Sequence, residues 1–518
     1  MSFTSYSFLL FAGVLIAVYY WIPKRFQWQL LLLASWAFYL AAGWEYIGFL
    51  LTTTLTTYLA VRAMGKNFRR RDEALADLSR EEKRELKARV KSRNKKIMLS
   101  CIVLNFSVLA VCKACLVRPF QALADSGPLS FLTLGLPLGI SFYMFQSMGY
   151  VMDVYREKGK PEANFFKLAL FVSFFPQLIQ GPISRFSQLA PTLYAPHDYD
   201  GKTVSFGLQR MLWGYFKKLV IADRIAPAVI ALISGDYTGA SFLVLTVFYA
   251  VRIYGDFTGG IDIAIGLGEC LGVRMPENFI RPFFSKNIAE YWRRWHITLG
   301  EWMKDYIFYP ISVSSPMRDL SKAARKKLGK FGKRLPVYAA TVATWFVTGI
   351  WHGLTPNFIL WGMLNCAVII VSEELAPLYE RFHNRFHLKE KPLYGVFEMV
   401  RMFFLMNLIR ACDLFPNVGE YFRRLGSLFT VPNLSVLWDG TLMELGLTGL
   451  DYAIVFFGCL LLLAVSVVEE KKGSVREALW RKPPALRWSL MFLLFLTVLL
   501  MGSYGIGYDA SNFIYNQF

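Results

Sequence analysis

The stretch Tyr452–Val468, Y-A-I-V-F-F-G-C-L-L-L-L-A-V-S-V-V, runs without a charge and stops at Glu469–Glu470–Lys471–Lys472. A helix crosses a hydrocarbon core with about 20 mostly apolar residues, or fewer where flanking side chains snorkel. The same pattern recurs outward along the chain at Phe8–Ile22, Ile47–Met64, Ile97–Cys115, Phe242–Tyr254, Tyr338–Trp351, Phe358–Val371 and Leu490–Met501. These runs are continuously apolar rather than alternating, which argues against a transmembrane β-barrel. Hydrophobic residues make up 55% of the chain and charged residues 18%, and the mean hydropathy is +0.37. The expected fold is all-α and polytopic, with roughly ten or more transmembrane helices plus re-entrant and interfacial helices.

The formal net charge of +20 is concentrated. Gly65–Lys96 holds thirteen Lys/Arg and six Asp/Glu, and Ser314–Arg334 holds eight Lys/Arg and one Asp. In a membrane protein such blocks mark cytoplasmic segments and touch anionic lipid headgroups; a nucleic-acid partner is not expected. Lys24 and Arg25 after the first run put that loop inside, and parity then places both termini outside, in a plasma-membrane protein. The start lacks a basic residue and a small-x-small cleavage site, so Phe8–Ile22 reads as a retained helix rather than a signal peptide. The chain reads as one membrane-embedded domain, 1–518, with a basic cytoplasmic loop at 65–96 and an extracytoplasmic tail at 505–518. Parity leaves the Pro/Gly-interrupted stretch Phe165–Phe284 open. The seven Cys lie mostly in apolar runs, where they read as packing residues.

Five His are present. His197, in a Pro-containing loop, reads as exposed. His383 and His387 are spaced i, i+4, but lie among cations without a third ligand, so no metal site is expected. His296 lies within Asn287–Ile311, where Ile288, Tyr291, Trp292, Trp295, Leu299, Trp302, Met303 and Tyr306 form a helical stripe. Trp at that density suits an interfacial helix, with His296 at the stripe's margin, either holding the helix or acting directly. His352 lies in Ala343–Asn365, A-T-W-F-V-T-G-I-W-H-G-L-T-P-N-F-I-L-W-G-M-L-N. Sixteen residues of helix from Pro336 carry it about 24 Å across the membrane. An ionisable group at that depth is a functional hypothesis. Gly353 and Pro356 break the helix beside it, which is tolerated only against protein or a water-filled cavity. An imidazole there suits general-base attack of a hydroxyl on a thioester. The sequence has no GxSxG, P-loop, HExxH or strand-linked GxGxxG.

Trp292–Arg293–Arg294–Trp295–His296 with Trp302 and Asp305–Tyr306, followed by Gly349–Ile350–Trp351–His352–Gly353, resembles the membrane-bound O-acyltransferase family. The resemblance is to the bacterial branch that contains the alginate O-acetylation membrane protein and the D-alanyl transfer protein of teichoic acid synthesis. Leu136–Arg156, Phe175–Phe186, Tyr254–Gly260 with Asp262, Glu277–Asn278–Phe279 and the ending Phe513–Phe518 are similar to further segments of that branch. The chain departs from it at Asn407–Leu408–Ile409–Arg410, at Asn516 and at Thr258–Gly259–Gly260.

The resemblance implies that His352 is the catalytic base and that His296 is a second important residue on a cytoplasmic tunnel. Trp292, Arg293, Trp295, Asp305, Trp351, Asn278 and Arg185 would support the donor path. It implies no bound cofactor: acetyl-CoA or another acyl thioester enters as substrate. An extracellular polysaccharide is the acceptor, reached directly or through an extracytoplasmic acyltransferase partner. Arg185 could meet donor phosphates or snorkel at a helix end. Asp256 and Asp262 could line the tunnel or pair with Arg252. Ser141 and Gln146 could hydrogen-bond between helices. Tyr508–Phe518 could dock a partner or lie on the interface as a helix end. D-alanyl transfer from a carrier protein, and transport without acyl chemistry, are the rival readings.

Overall fold

At membrane level no water serves the backbone, so apolar segments close their own hydrogen bonds as helices. The computed structural model describes residues 2–76, 78–115, 136–329, 331–505, 508–509 and 513. Among these, β-type pairing is limited to an isolated antiparallel bridge between Phe279 and Trp295. Seven helices among the described residues are long and apolar enough to cross a membrane. They are Trp44–Ala74, Arg80–Ala114, Ala240–Cys270, Pro356–Phe386, Pro392–Leu414, Gly449–Lys472 and Pro484–Met501. Tyr6–Trp21 is apolar but shorter. Gly449–Lys472 and Pro484–Met501 present Phe456, Phe457, Phe492 and Leu500 outward, as helices facing lipid do. The protein is a multi-pass helical membrane protein.

The chain folds as two compact units, 1–208 with 264–276, and 209–263 with 277–518. In the first, the helices Ile47–Ala74 and Arg80–Ala114 run straight through the basic segment Gly65–Lys96. That connecting segment is therefore helical on both sides of its turn, as its Glu, Lys, Arg and Ala favour. Ser79 and Glu82 close a capping box at the turn. Asn67 Nδ2 donates to Asn94 Oδ1 at 2.7 Å between the two arms. Gln146 does bond between helices, donating to the Phe171 carbonyl at 2.8 Å. The stretch after Phe165 resolves into the short helices Phe165–Ser173, Phe175–Gln180 and Phe186–Leu193. His197 is half-buried rather than exposed: its backbone N–H donates to Gln27 Oε1 at 2.8 Å, and its Nε2 meets the Thr192 carbonyl at 2.7 Å. The start of the apolar run before residue 136 and most of the 505–518 tail lie outside the described residues.

In the second unit, Ala240–Ile263 belongs to the long helix Ala240–Cys270 and packs on the π-helical segment Phe216–Ala222. Asp256 and Asp262 do not pair with Arg252. Lys218 Nζ donates to Asp256 at 2.6 Å, while Asp262 accepts from Lys217 Nζ at 2.5 Å and Arg210 Nε at 2.9 Å. These cations come from a facing helix, a partner that local spacing along Ala240–Cys270 does not disclose. The basic stretch Ser314–Arg334 contains an amphipathic helix, Ser315–Leu328.

Helices Leu335–His352 and Pro356–Phe386 form a hairpin that crosses at Gly349 and Gly362. A Cβ on Gly362 would lie 2.5 Å from the Trp345 carbonyl oxygen, and one on Gly349 would lie 2.7 Å from that of Phe358. Small residues let the two backbones meet. Gly362→Ala is expected to lower stability by about 1–3 kcal/mol through this backbone clash. Gly426→Ala, inside the helix Val418–Thr430 with nothing within 4 Å of its Cβ, is expected to raise it by about 0.5–1 kcal/mol. Thermal unfolding in detergent reads both signs.

Candidate active site

The interfacial stretch is not one helix. Ile288–Arg294 ends, Trp295 is extended, and His296 takes a left-handed conformation (φ 47°, ψ 51°) before Ile297–Met303 begins. No Gly or Pro imposes this break. Residues 278–280 impose it by pairing alongside. Ile280 N–H donates to the Arg294 carbonyl at 2.9 Å, and Ile297 N–H to the Asn278 carbonyl at 3.0 Å. A non-Gly residue in that conformation costs on the order of 1–3 kcal/mol and persists where its surroundings over-determine it. The helical path then widens into a π-turn, Lys304–Phe308, which contains the half-buried Asp305.

The kink turns His296 inward. It is 3% exposed, buried rather than marginal. Phe257 packs edge-on at 5.0 Å between ring centroids, and Trp351 lies at 6.1 Å. Its Nδ1 faces Asn278 Oδ1 at 3.2 Å. Burial, and then the Arg410 cation, hold its imidazole down at about 3, so it is neutral across the physiological range. Arg410 is itself held over the Trp295 ring at 4.2 Å and donates to Tyr291 Oη at 3.0 Å. A desolvated cation–π contact of that kind contributes roughly 2 kcal/mol.

His352 is the last residue of its helix, and the chain restarts as helix at Pro356, the break expected from Gly353 and Pro356. It is half-buried, with exposed Leu354, Thr355 and Pro356 beside it. Its ring lies 4.8 Å from Trp351 and 4.8 Å from Trp361, and stacks on Phe358 at 6.3 Å. Trp351 therefore neighbours both imidazoles. Trp292, Trp345 and Trp361 complete an aromatic wall, with centroids 4.8–6.0 Å apart. Asn278 Nδ2 and Trp292 Nε1 are buried donors without a hydrogen-bond partner among the described residues.

Of the residues expected from the sequence, the structure gathers His296, His352, Trp351, Trp292, Trp295 and Asn278 into this one cluster. Arg293 is exposed on the outer side of its helix. Arg185 belongs to the first unit, at the N-cap of Phe186–Leu193. Phe257, Thr298, Trp345, Trp361 and Arg410 were not singled out. Arg410 could have been, as a cation closing the apolar run of Pro392–Arg410. Trp345 and Trp361 needed the hairpin geometry.

Residues 161–414 match the model of MBOAT, the membrane-bound O-acyltransferase family. The chain is 32% identical over 378 residues to the probable alginate O-acetylase of Pseudomonas putida, covering 70% of this chain and 68% of that protein. It is 33% identical over 282 residues to the peptidoglycan O-acetyltransferase of Helicobacter pylori, 49% of this chain and 50% of that one. With the teichoic acid D-alanyltransferase of Bacillus subtilis it shares 28% identity over 240 residues, 45% and 58% of the two chains. The chain spans about two thirds of the length of the alginate O-acetylases it matches. Both histidines lie inside the family match, at the centre of the aromatic cluster, and the chain belongs to the membrane-bound O-acyltransferase family.

Proposed function

We propose that the protein is a membrane O-acyltransferase that moves an acetyl group from a cytoplasmic thioester, acetyl-CoA, to hydroxyls of an extracellular or cell-wall polysaccharide. The observation that carries this reading is the pairing of a half-buried imidazole at an interrupted helix end with a fully buried, neutral one behind a shared tryptophan. In the reaction His352 takes the proton of the acceptor hydroxyl as its oxygen attacks the thioester carbonyl. The C–O bond forms, the C–S bond breaks, and the proton passes to the departing thiolate. General-base help of this kind is worth about 10²–10⁴-fold. The tryptophan wall excludes water, which would hydrolyse the thioester and weaken the electrostatics of the site. The buried donor Trp292 Nε1 is available to polarise an acyl oxygen. Acetyl transfer is favoured over D-alanyl transfer by the relatives that match more of the chain. An extracytoplasmic acyltransferase partner that takes the acyl group onward, and both termini outside, complete the proposal.

Three measurements test it. His352→Ala in vesicles supplied with labelled acetyl-CoA is expected to lower transfer to polymer by about 10²–10⁴-fold while folding is retained; unchanged transfer, or no transfer by the parent protein, overturns the reading, and labelling only by a D-alanyl carrier assigns the rival donor. Single-cysteine labelling of intact cells is expected to reach position 5 from outside and Lys327 only after permeabilisation. The third is a pH series. The folded value of His296 lies below the ordinary 6.5, so its share of stability is complete above about 6.5 and is lost as pH falls toward 3. Between pH 6.5 and 4.5 the parent should lose about 2–3 kcal/mol more than His296→Gln.

A further inference from the structure

The atoms around Asn278 determine which way its amide points. Thr298 N–H can only donate, and it meets one terminal atom of that amide at 3.1 Å. That atom is therefore the carbonyl oxygen Oδ1 and not the NH2. The Thr298 hydroxyl donates to the same oxygen at 2.9 Å. His296 Nδ1 faces it at 3.2 Å, and an oxygen that only accepts requires a nitrogen that donates. We propose that Asn278 is a positioning residue that holds His296 as the Nδ1–H tautomer and so presents Nε2 to the acyl path as an acceptor of hydrogen bonds. The inference deepens the acyl-transfer reading: Nε2 can receive an O–H, N–H or S–H of a bound substrate and cannot donate to a carbonyl.

Asn278 is well braced for that task. Its neighbour Glu277 is gripped by Arg210 through both carboxylate oxygens, at 2.6 and 2.5 Å, and Arg210 Nε is held by Asp262 at 2.9 Å. Asp262 and Phe257 share the long helix Ala240–Cys270, so the same helix that anchors the Asn278 loop also seats Phe257 against the His296 ring. Asn278 is fully buried, and its NH2 has no acceptor among the described residues. A residue kept only for packing would avoid that desolvation cost; one kept for its oxygen accepts it. The backbone oxygen of Asn278 binds Ile297 N–H at 3.0 Å, so main chain and side chain grip both flanks of the left-handed His296.

The test reads the tautomer directly and needs no substrate. The chain has five His, so 15N-histidine labelling of the whole protein in detergent gives few ring signals, and His296→Gln identifies those of His296. The expected result is a protonated Nδ1 and an unprotonated Nε2 near pH 7.5. Asn278→Ala is expected to move His296 toward the Nε2–H form and to lower acyl transfer by at least about 10-fold, because the wrong tautomer offers no acceptor. Asn278→Asp, which restores an acceptor oxygen, is expected to return protonation to Nδ1. An Nε2–H form in the parent protein overturns the proposal, as does an unchanged tautomer in Asn278→Ala; should that variant fail to fold, the parent signal still decides. A parent that shows Nδ1–H but transfers no acyl group refutes the transfer reading and leaves the tautomer assignment standing.

Discussion

A backbone amide or carbonyl left without a partner in a hydrocarbon-level interior costs several kcal/mol, and that cost organises the second unit. Helices meet it along their length but not where they break. At several breaks an Asn or Arg side chain takes the place of water. After Asp223–Ser234, the guanidinium of Arg424 donates to the carbonyls of Leu232, Gly235 and Tyr237 at 3.1, 2.7 and 3.0 Å. Asn433 bridges the Thr238 carbonyl and the Ala240 amide that opens the next helix. Asn357 Nδ2 reaches the carbonyls of Cys412 and Phe415 at 2.9 and 2.8 Å where Pro392–Arg410 runs out. Asn278 does the same at Thr298. The irregular backbone that a site requires is thus tolerated because specific amides close it, and two of those amides, Asn278 and Asn357, flank the histidine segments.

Buried charge follows the same logic. Lys217 and Lys218 lie in a π-helical segment, a form frequent at functional sites, and both reach the long helix opposite. Lys218 meets Asp256 and Asp223, and Lys217 meets Asp262 and the Thr258 hydroxyl. Removing one member of such a pair strands the other, which is far costlier than never having built the pair. The lysines therefore fix the long helix in rotation and height. Phe257 lies between Asp256 and Thr258 in that helix, so the ring against His296 inherits its position from an ion pair on one side and a hydrogen bond on the other. Tyr508 of the C-terminal stretch donates to Asp223 at 2.7 Å, and Phe513 receives Lys218 Nζ at 4.2 Å from its ring centroid. Part of that stretch thus serves the same network.

How much of this was legible depends on whether the cause was local. The apolar runs and the break after His352 are written in consecutive residues, the latter by Gly353 and Pro356. Helix through Arg80–Lys96 is legible in its Glu, Lys, Arg and Ala, whereas the continuation of the preceding helix to Ala74 is masked by the charge of the same segment. The kink at His296 was illegible because Trp295–His296–Ile297 carries no breaker. Its cause is a segment sixteen residues earlier, paired alongside. Of the alternatives for Asp256 and Asp262, pairing holds but not with Arg252, for the same reason: the nearest cation in sequence lies on the same helix, while the partners Lys217, Lys218 and Arg210 face it. Asn278 was drawn only from a resemblance; nothing local distinguishes it from an ordinary turn Asn.

The two histidines differ in ways that suit the separate tasks the proposed reaction sets. His296 is enclosed, strained in backbone, neutral and fixed by a side-chain oxygen, so its ring has little freedom to turn. His352 ends a helix beside exposed residues, with the rings of Trp351, Trp361 and Phe358 packed around it. A base that must meet an incoming hydroxyl, take its proton and release it to a thiol needs the second kind of environment. A group that orients a substrate through one defined acceptor needs the first. Trp351 is in contact with both rings. Exchanging the environments would leave a base that could not reach its proton and an anchor that could not hold its tautomer, so the proposed chemistry depends on the asymmetry between the two imidazoles and not merely on their presence.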